Sequence, residues 1–451
     1  MPPTNQGYFA PLERVYLKIK TPFEEFLHQE ATAGVLLILS SLVALIVANA
    51  GYIEMYGDML HTSMAISWGE YKIEHSLHHW INDGLMTLFF FVVGLEIKRE
   101  VLTGELSSFR QAILPIIGAI GGMLVPALIF LLIAGDSDGA QGWGIPMATD
   151  IAFVVGVLAL LGKRIPKALF TFLIALAIVD DLGAVALIAI FYTDALSYQH
   201  LAIAGVVMLA MLGCNMAGVR RPLPYLLLLV FMWLAMEGSG VHATVAGILA
   251  AMTVPAYTRL SPSQLSGVLR GQLDEFDNHY QADQKLMNNK QQSREIWRLH
   301  HILEVGISPL QRLETALHVP VSYFVIPLFA LANSAILLNY EVIHSAEHSL
   351  AALGVLAGLT VGKLLGVVIP TWIAWKIGLG RMGDGVTLRH LIGAGLLAGI
   401  GFTMSIFIAE LAYSGDHQQV VYSKIAILFA TVISGLAGYL WLRFVALPVE
   451  E

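Results

Sequence analysis

Long apolar runs separated by polar stretches are the most regular pattern along this chain. Each run approaches the roughly twenty helical residues that cross the hydrocarbon core of a bilayer. The pattern predicts an all-α polytopic membrane protein of about twelve helices, with one transmembrane domain over residues 31–443. The predicted spans are residues 31–50, 77–97, 112–134, 143–162, 168–192, 199–218, 222–236, 241–257, 317–337, 350–375, 388–411 and 422–443.

The composition agrees with a membrane location. Hydrophobic residues make up 57% of the chain and charged residues only 13%, against about 25% charged in soluble domains. The charges within residues 1–30 exclude a cleavable signal peptide there, and a single cysteine, Cys214, excludes an internal disulfide. The expected environment is a lipid bilayer, and neither a cofactor nor a nucleic-acid partner is expected.

Basic residues are distributed unequally between the two sides of the predicted membrane domain. Of the 25 Lys and Arg residues, 22 fall in the termini and even-numbered loops. Lys72 and Lys424 lie on the opposite side, and Lys363 lies inside a span. Because basic loops remain in the cytoplasm, the N-terminal segment (1–30) and the tail (444–451) are both predicted to be cytoplasmic.

Two loops differ from simple connections. Residues 58–76 contain alternating apolar and polar positions around Gly69 and Glu70, which predicts a small β-hairpin on the outer, periplasmic face; an ordinary polar loop is the alternative. Residues 258–312 form a long, polar cytoplasmic loop, which we expect to be partly disordered or loosely helical.

Two adjacent aspartates, Asp180 and Asp181, lie in the middle of the fifth span. Twelve uncharged residues precede them (168–179) and twelve follow (182–193), so both carboxylates are predicted near the bilayer midplane. Each such group costs about 2.5–3.5 kcal/mol on insertion scales, and ionisable residues at this depth mark ion or proton pathways. The pair is therefore a candidate cation- and proton-binding site.

Asp150 and Lys363 are predicted at a similar depth on two other helices. Lys363 is more than ten residues from either end of its span, roughly 15 Å along a helix, which is too far for its amine to reach the interface comfortably. We therefore predict that Lys363 compensates the charge of an aspartate. Thr149 offers a hydroxyl oxygen, a ligand type suited to hard cations such as Na⁺. Taken singly, Asp150 could be a polar residue bonded to a neighbouring helix, and the alternative for Lys363 alone is extension of its amine to the interface.

Two of the spans contain residues that interrupt helices. The first has Gly142, Gly144 and Pro146 before Asp150, and the second has glycines between residues 393 and 401. Interrupted helices in two triplets of opposite topology, residues 112–192 and 350–443, predict discontinuous crossing helices within inverted repeats, as in secondary transporters. Glycines that only allow close packing are the alternative.

Such a site predicts antiport. If H⁺ and Na⁺ compete for the same oxygens, and only the loaded forms reorient, then cation transport in one direction requires proton transport in the other. An intramembrane aspartyl protease would need a Gly-x-Gly-Asp motif, which the sequence lacks. A sodium-coupled symporter would need a polar pocket for an organic substrate, and a channel would not need such tight binding groups.

Several motifs resemble those of the NhaA-type bacterial Na⁺/H⁺ antiporters. They are ATDIAF at 148–153, AIVDDLGA at 177–184, SGVHAT at 239–244, GIGFTMS at 399–405, FVVGLEIKRE at 91–100 and PLFALAN at 327–333. The resemblance implies electrogenic, pH-regulated exchange of Na⁺ or Li⁺ for H⁺ across the inner membrane. It also implies that Asp181 is the main cation ligand, that Asp180 pairs with Lys363, and that the hairpin forms a homodimer contact.

The same resemblance assigns a pH response to residues at the cytoplasmic side, and a solvated surface cluster is the alternative. These residues are Glu96, Arg99, Glu100, Glu314 and His318. His242 is a further candidate for the pH response, and a packed polar residue is the alternative there. Two features differ from the family pattern, namely Thr315, where a histidine is frequent, and the length of the 258–312 loop.

Overall fold

The computed structural model describes residues 30–68, 71–193, 196–258, 261–279, 289–383 and 385–446. The predicted N-terminal segment 1–30 and tail 444–451 therefore lie almost wholly outside the described residues. The helices are α1 (Glu30–Val47), α2 (Ile53–His61), α3 (Leu77–His79), α4 (Met86–Thr103), α5 (Phe109–Ala134), α6 (Ile151–Leu161), α7 (Lys167–Phe191), α8 (Tyr198–Met216), α9 (Pro222–Glu237), α10 (Val245–Thr253), α11 (Pro262–Asn278), α12 (Lys290–Val305), α13 (Pro309–Pro320), α14 (Ile326–Asn333), α15 (Tyr340–Glu347), α16 (Leu350–Ala357), α17 (Lys363–Ile377), α18 (Leu388–Ala398), α19 (Phe402–Ala412) and α20 (His417–Phe444).

Shorter segments of other helical types join some of these helices. The π-helical segments are Ala48–Tyr52, Trp80–Leu85, Val321–Val325 and Gly358–Gly362, and the 3₁₀ segments are Glu105–Ser107, Ala140–Met147 and Gly162–Arg164. The strands are β1 (Ser63–Trp68) and β2 (Tyr71–Ser76).

The predicted spans agree with these helices. Within the described residues, nine helical segments are long and apolar enough to cross a membrane, and the bent pair α18–α19 provides a tenth. The other two predicted spans correspond to the shorter helices α9 and α10. Helix α10 is short because a turn containing Gly240, at φ +85°, precedes it and Pro255 follows soon after it. The prediction of an all-α polytopic membrane protein is confirmed.

The predicted outer hairpin is also present as two antiparallel strands. Ser63 pairs with Ser76 at one end of the ladder, and Trp68 pairs with Tyr71 at the other. The connecting residues 69–70 lie outside the described part of the chain. At the base, the Leu77 backbone N–H donates to the Thr62 carbonyl oxygen at 3.0 Å, so the two ends of the hairpin lie side by side.

The chain divides into two compact units, and the first contains all four midplane charges. It comprises Met1–Met86, Thr103–Thr193 and Val319–Glu451. Helices α5 and α17 make its most extensive helix contact. Their close approach depends on Gly121 and Gly366, because a Cβ at Gly366 would lie 2.3 Å from the Gly121 carbonyl oxygen. This contact places α17, which begins at Lys363, against the centre of the unit.

The second unit comprises Thr87–Leu102 and Asp194–His318. Its core includes the buried side chains of Phe91, Leu95, Tyr225 and Leu229. The Lys98 amine donates to the carbonyl oxygens of Met252 and Val254, at 2.6 and 2.5 Å. These bonds satisfy carbonyl groups at the C-terminal end of α10, which a helix leaves unpaired.

The described parts of the long loop are helical. Helices α11 and α12 occupy much of residues 258–312, and they pack against each other. A capping box at Ser261 begins α11, and the Asn289 side chain caps α12. Polar side chains also join the two helices, with Gln272 hydrogen-bonded to the buried Glu295. Local capping and this contact explain the helical order.

Candidate ion-binding site

The residues predicted to bind cations and protons are all buried in the first unit. Asp180 and Asp181 lie in the middle of the 25-residue helix α7, and their exposed fractions are 0% and 1%. Thr149, Asp150 and Lys363 are buried as well. Because α7 is apolar on either side of the two aspartates, their carboxylates lie far from both ends of the helix.

Both predicted interruptions are present, and they lie against each other. Residues 148–150 have no helical assignment between the 3₁₀ segment Ala140–Met147 and α6. A second break separates α18 from α19, which are bent by 42°. The Asp150 N–H donates to the Ile400 carbonyl oxygen at 2.7 Å, and the Ser405 hydroxyl donates to the Ile145 carbonyl oxygen at 2.9 Å. Backbone groups freed by one break thus pair with groups near the other. The inverted-repeat relation stays a prediction.

Asp150 holds the two interrupted helices together. It is the N-cap of α6, where Oδ1 accepts from the Phe153 N–H at 3.0 Å. Its Oδ2 accepts from the Thr403 N–H at 2.9 Å and from the Thr403 hydroxyl at 2.6 Å. Donors at the start of α6 and of α19 therefore stabilise a negative charge on Asp150. Thr403 was not among the predicted site residues, although the glycine-rich motif at 399–405 was the signal that could have indicated it.

Asp180 links three elements. Its Oδ2 accepts from Lys363 Nζ at 2.6 Å and from Thr149 Oγ1 at 2.8 Å. The Thr149 hydroxyl also lies 3.0 Å from the Ala398 carbonyl oxygen, next to the second break. Asp180 Oδ1 is buried and has no hydrogen-bond partner among the described residues. The structure thus brings Thr149, Asp180 and Lys363 together.

The arrangement gathers oxygen ligands at the crossing of the breaks. Asp180 supplies carboxylate oxygens there, and Thr149 and Ala398 supply a hydroxyl and a carbonyl oxygen. Asp181, the next residue on α7, is buried as well. Adjacent helical residues point about 100° apart. The side chain of Asp181 therefore points in a different direction from that of Asp180, which contacts Lys363. Such a set of oxygens suits a hard monovalent cation by the logic that applies to other hard ions, and the carboxylates can accept protons instead.

Four of the predicted pH-response residues lie near one another in the second unit. Arg99 Nε lies 2.9 Å from Glu314 Oε1, and an Arg99 guanidinium nitrogen lies 3.0 Å from Glu100 Oε1. His318 follows Glu314 by one turn of α13 and interacts with it electrostatically. Glu96 is one turn before Glu100 on α4. His242 lies apart from this sequence neighbourhood, in the segment between α9 and α10.

Buried acids and a lysine at the crossing of two interrupted membrane helices are typical of a secondary ion transporter. Comparison with known proteins gives the family. A family model described as Na⁺/H⁺ antiporter 1 matches residues 24–442, and the chain belongs to this family. The resemblance seen in the sequence motifs is therefore confirmed.

Individual relatives are similar over nearly their whole length. The Na⁺/H⁺ antiporter NhaA of Sulfurimonas denitrificans is 46% identical over 438 residues, which cover 97% of this chain and 98% of that protein. The Na⁺/H⁺ antiporter NhaA 1 of Saccharophagus degradans is 42% identical, with 98% and 95% covered. The Na⁺/H⁺ antiporter NhaA of Oleidesulfovibrio alaskensis is 46% identical, with 94% of each chain covered.

Proposed function

We propose that this protein exchanges Na⁺ or Li⁺ for H⁺ across the bacterial inner membrane by alternating access, and so extrudes sodium and contributes to pH homeostasis. The observation that carries the proposal is the buried pair Asp180–Asp181 at the crossing of the interrupted helices. Membership of an antiporter family supports the same conclusion. Na⁺, Li⁺ and H⁺ are the transported substrates.

In this proposal one site holds either a cation or protons. Asp181 is the main cation ligand. The rest of the site around it is formed by Asp180, Thr149, Asp150 and Thr403, the hydrogen-bond partner of Asp150. Lys363 compensates negative charge on Asp180 when no cation is bound. A site emptied of both substrates keeps an uncompensated charge in the membrane, which is costly to move. Reorientation is therefore restricted to loaded forms, and the two fluxes are coupled.

Further properties follow from the same proposal. More protons than cations per cycle make the exchange electrogenic, so the membrane potential assists it. A set of polar residues adjusts activity to cytoplasmic pH, because protonation of carboxylates and histidines changes which charged groups pair with one another. The set consists of Arg99, Glu100, Glu314, Glu96, His318 and His242. Both termini are cytoplasmic, and the protein forms a homodimer through the hairpin at residues 58–76.

The site assignment is tested by replacing Asp181. Inside-out membrane vesicles are acidified in the lumen, and Na⁺ or Li⁺ is then added while a pH-sensitive dye reports proton release. We expect Asp181→Asn to abolish the cation-induced release, because the amide cannot supply an anionic oxygen or carry the proton. Asp136→Asn is the matched control, since Asp136 is an exposed aspartate outside the site.

The possible outcomes distinguish a wrong assignment of Asp181 from a wrong proposal of Na⁺/H⁺ exchange. If wild-type vesicles release no protons with Na⁺ or Li⁺ at any pH, the proposed exchange is wrong. If the wild type is active and Asp181→Asn keeps full activity, the exchange stands but Asp181 is not the main ligand. Loss of activity in the Asp136→Asn control as well would reject a specific role for Asp181.

A further inference from the structure

A second cluster of polar side chains, two of them buried and three half-buried, lies in the first unit, away from the ion-binding site. It lies at the end of the unit that carries the hairpin, where α3 follows β2 directly. Its members are His78 on α3, Asn82 in the π-helical segment after it, Asn333 at the end of α14, Glu410 on α19 and Lys424 on α20. By the distribution of basic loops, this is the outer side of the membrane.

The imidazole of His78 has an unusual pair of neighbours. Its Nε2 lies 3.3 Å from the Asn82 amide nitrogen, which is a donor, and also 3.3 Å from the Asn333 amide oxygen, which is an acceptor. A deprotonated Nε2 accepts from Asn82, and a protonated Nε2 donates to Asn333. The same nitrogen therefore has a partner in either state, so neither state leaves Nε2 without a hydrogen bond.

The two asparagines are held in place independently of the histidine. The Asn333 amide nitrogen donates to Asn82 Oδ1 at 2.8 Å and to the Phe329 carbonyl oxygen at 3.0 Å. These bonds orient the Asn333 amide so that its oxygen faces His78. Because Asn82 Oδ1 accepts from Asn333, the Asn82 amide nitrogen is the end that faces the same imidazole. Reversible protonation of His78 thus requires little rearrangement.

An ion pair lies near this histidine. Glu410 and Lys424 form it at 2.5 Å, with 21% and 12% of their side chains exposed. The negative charge of Glu410 favours a protonated His78, and the positive charge of Lys424 opposes it. Glu410 is also seven residues, or two helical turns, after Thr403 on the same helix α19. One end of α19 therefore binds Asp150, and the other carries the acid beside His78.

Other titratable groups surround the cluster on the packed elements. His61 on α2 lies with its ring centroid 6.3 Å from that of His78, and His417 at the start of α20 interacts electrostatically with Glu410. His79 Nδ1 lies 3.0 Å from Asp83 Oδ2, one residue further along the chain from His78 and Asn82. For His78, a donor and an acceptor both face one nitrogen.

We propose that His78 is an outer-side proton-exchange site of the antiporter, with Glu410 as its charge partner. A proton from external water adds to the Nε2 lone pair of the neutral imidazole, and it leaves by the reverse step. Glu410 balances the resulting positive charge. The site supplies protons to the outward-facing transporter, so the exchange rate depends on external pH through His78. This inference rests on the exchange function proposed above.

The test measures exchange against external pH. Inside-out vesicles are loaded with buffers between pH 5 and 8, the interval over which imidazole changes charge, and Na⁺-dependent proton release is measured at saturating Na⁺. We expect His78→Gln to remove a step from the wild-type profile, because glutamine retains a donor and an acceptor but does not titrate. His344→Gln is the control, since His344 is an exposed histidine on α15.

Glu410→Gln provides a second, independent measurement. Removing the negative charge disfavours the imidazolium, so the step should move to lower pH by about one unit. A merely structural role for the cluster would lower the rate without moving the profile. The proposal is overturned if either folded variant keeps the wild-type profile, or if His344→Gln loses the same step. If wild-type vesicles show no exchange at all, the proposed function fails instead.

Discussion

At the scale of single residues, only one of the two carboxylate oxygens of Asp180 has partners that compensate its negative charge. Lys363 and Thr149 both donate to Oδ2, while Oδ1 is buried without a hydrogen-bond partner among the described residues. A buried ion pair contributes little net stability, but removing one partner leaves an uncompensated charge, which is strongly destabilising. Lys363 is therefore expected to matter for both folding and exchange.

We predict that Lys363→Ala destabilises the protein by about 3–5 kcal/mol, the usual cost of breaking a buried ion pair, and lowers Na⁺-dependent proton release or shifts its pH profile. Thermal unfolding in detergent and dye dequenching in vesicles are the measurements. Lys376→Ala is the control, because Lys376 is an exposed lysine on the same helix. Unchanged stability and an unchanged pH profile in Lys363→Ala would contradict the pairing argument.

The sequence predicted which residues are buried together but not how all of them pair. Equal depth on three helices brings Asp150, Asp180 and Lys363 to one level, and depth follows from counting residues along apolar runs. Which carboxylate meets the lysine depends on the rotation of each helix about its own axis. Thr403 was overlooked for a different reason, since a threonine beside a helix break has no charge to mark it.

At the scale of secondary-structure elements, the site depends on helices that approach closely or stop short. The backbones of α5 and α17 meet at Gly121 and Gly366, with no space for a side chain between them. At the second break, a Cβ on Gly399 would lie 2.4 Å from the Leu359 carbonyl oxygen. These contacts place α17 and the end of α18 around the ion-binding residues.

We predict that Gly366→Ala destabilises the protein by about 1–3 kcal/mol, the range for overpacking, because α17 must move away from α5. This movement also displaces Lys363, so exchange should fall. Thermal unfolding and the vesicle assay measure the two effects. Gly213→Ala is the control, since a Cβ at Gly213 on α8 meets nothing within 4 Å. Equal stability of the two variants would show that the α5–α17 contact can accommodate a methyl group.

Elements differ in how well the sequence indicated them. The breaks near Asp150 and Gly399 were predicted because Gly and Pro are poor residues for a helix interior. For residues 258–312 the sequence indicated only partial disorder or loose helix, since the stability of α11 and α12 depends on caps and on a contact between them rather than on a long apolar run. The π-helical segment Gly358–Gly362, directly before Lys363, has no simple compositional signal.

At the scale of the whole molecule, orientation and assembly come from features outside the site. The bias of 22 basic residues to one side predicts where the hairpin lies, namely on the outer face. A two-stranded sheet has an unpaired edge along each strand, and such edges are available to pair with another chain. The hairpin is therefore the contact that we propose for a second copy of this protein, as the family resemblance also implies.

We predict that replacing residues 63–76 with a short Gly-Ser linker abolishes the proposed dimer contact, so that the variant is a monomer that still exchanges ions. The linker is tolerated because the Leu77 N–H and the Thr62 carbonyl oxygen lie 3.0 Å apart, and because the midplane site is built from other elements. Light scattering in detergent gives the mass of the protein, and the vesicle assay gives the activity. Single-residue replacement in the hairpin, Lys72→Ala, serves as the control, since backbone pairing does not depend on that exposed side chain. A wild type that is monomeric, or a hairpin deletion that remains dimeric, would show that the hairpin does not hold two copies together.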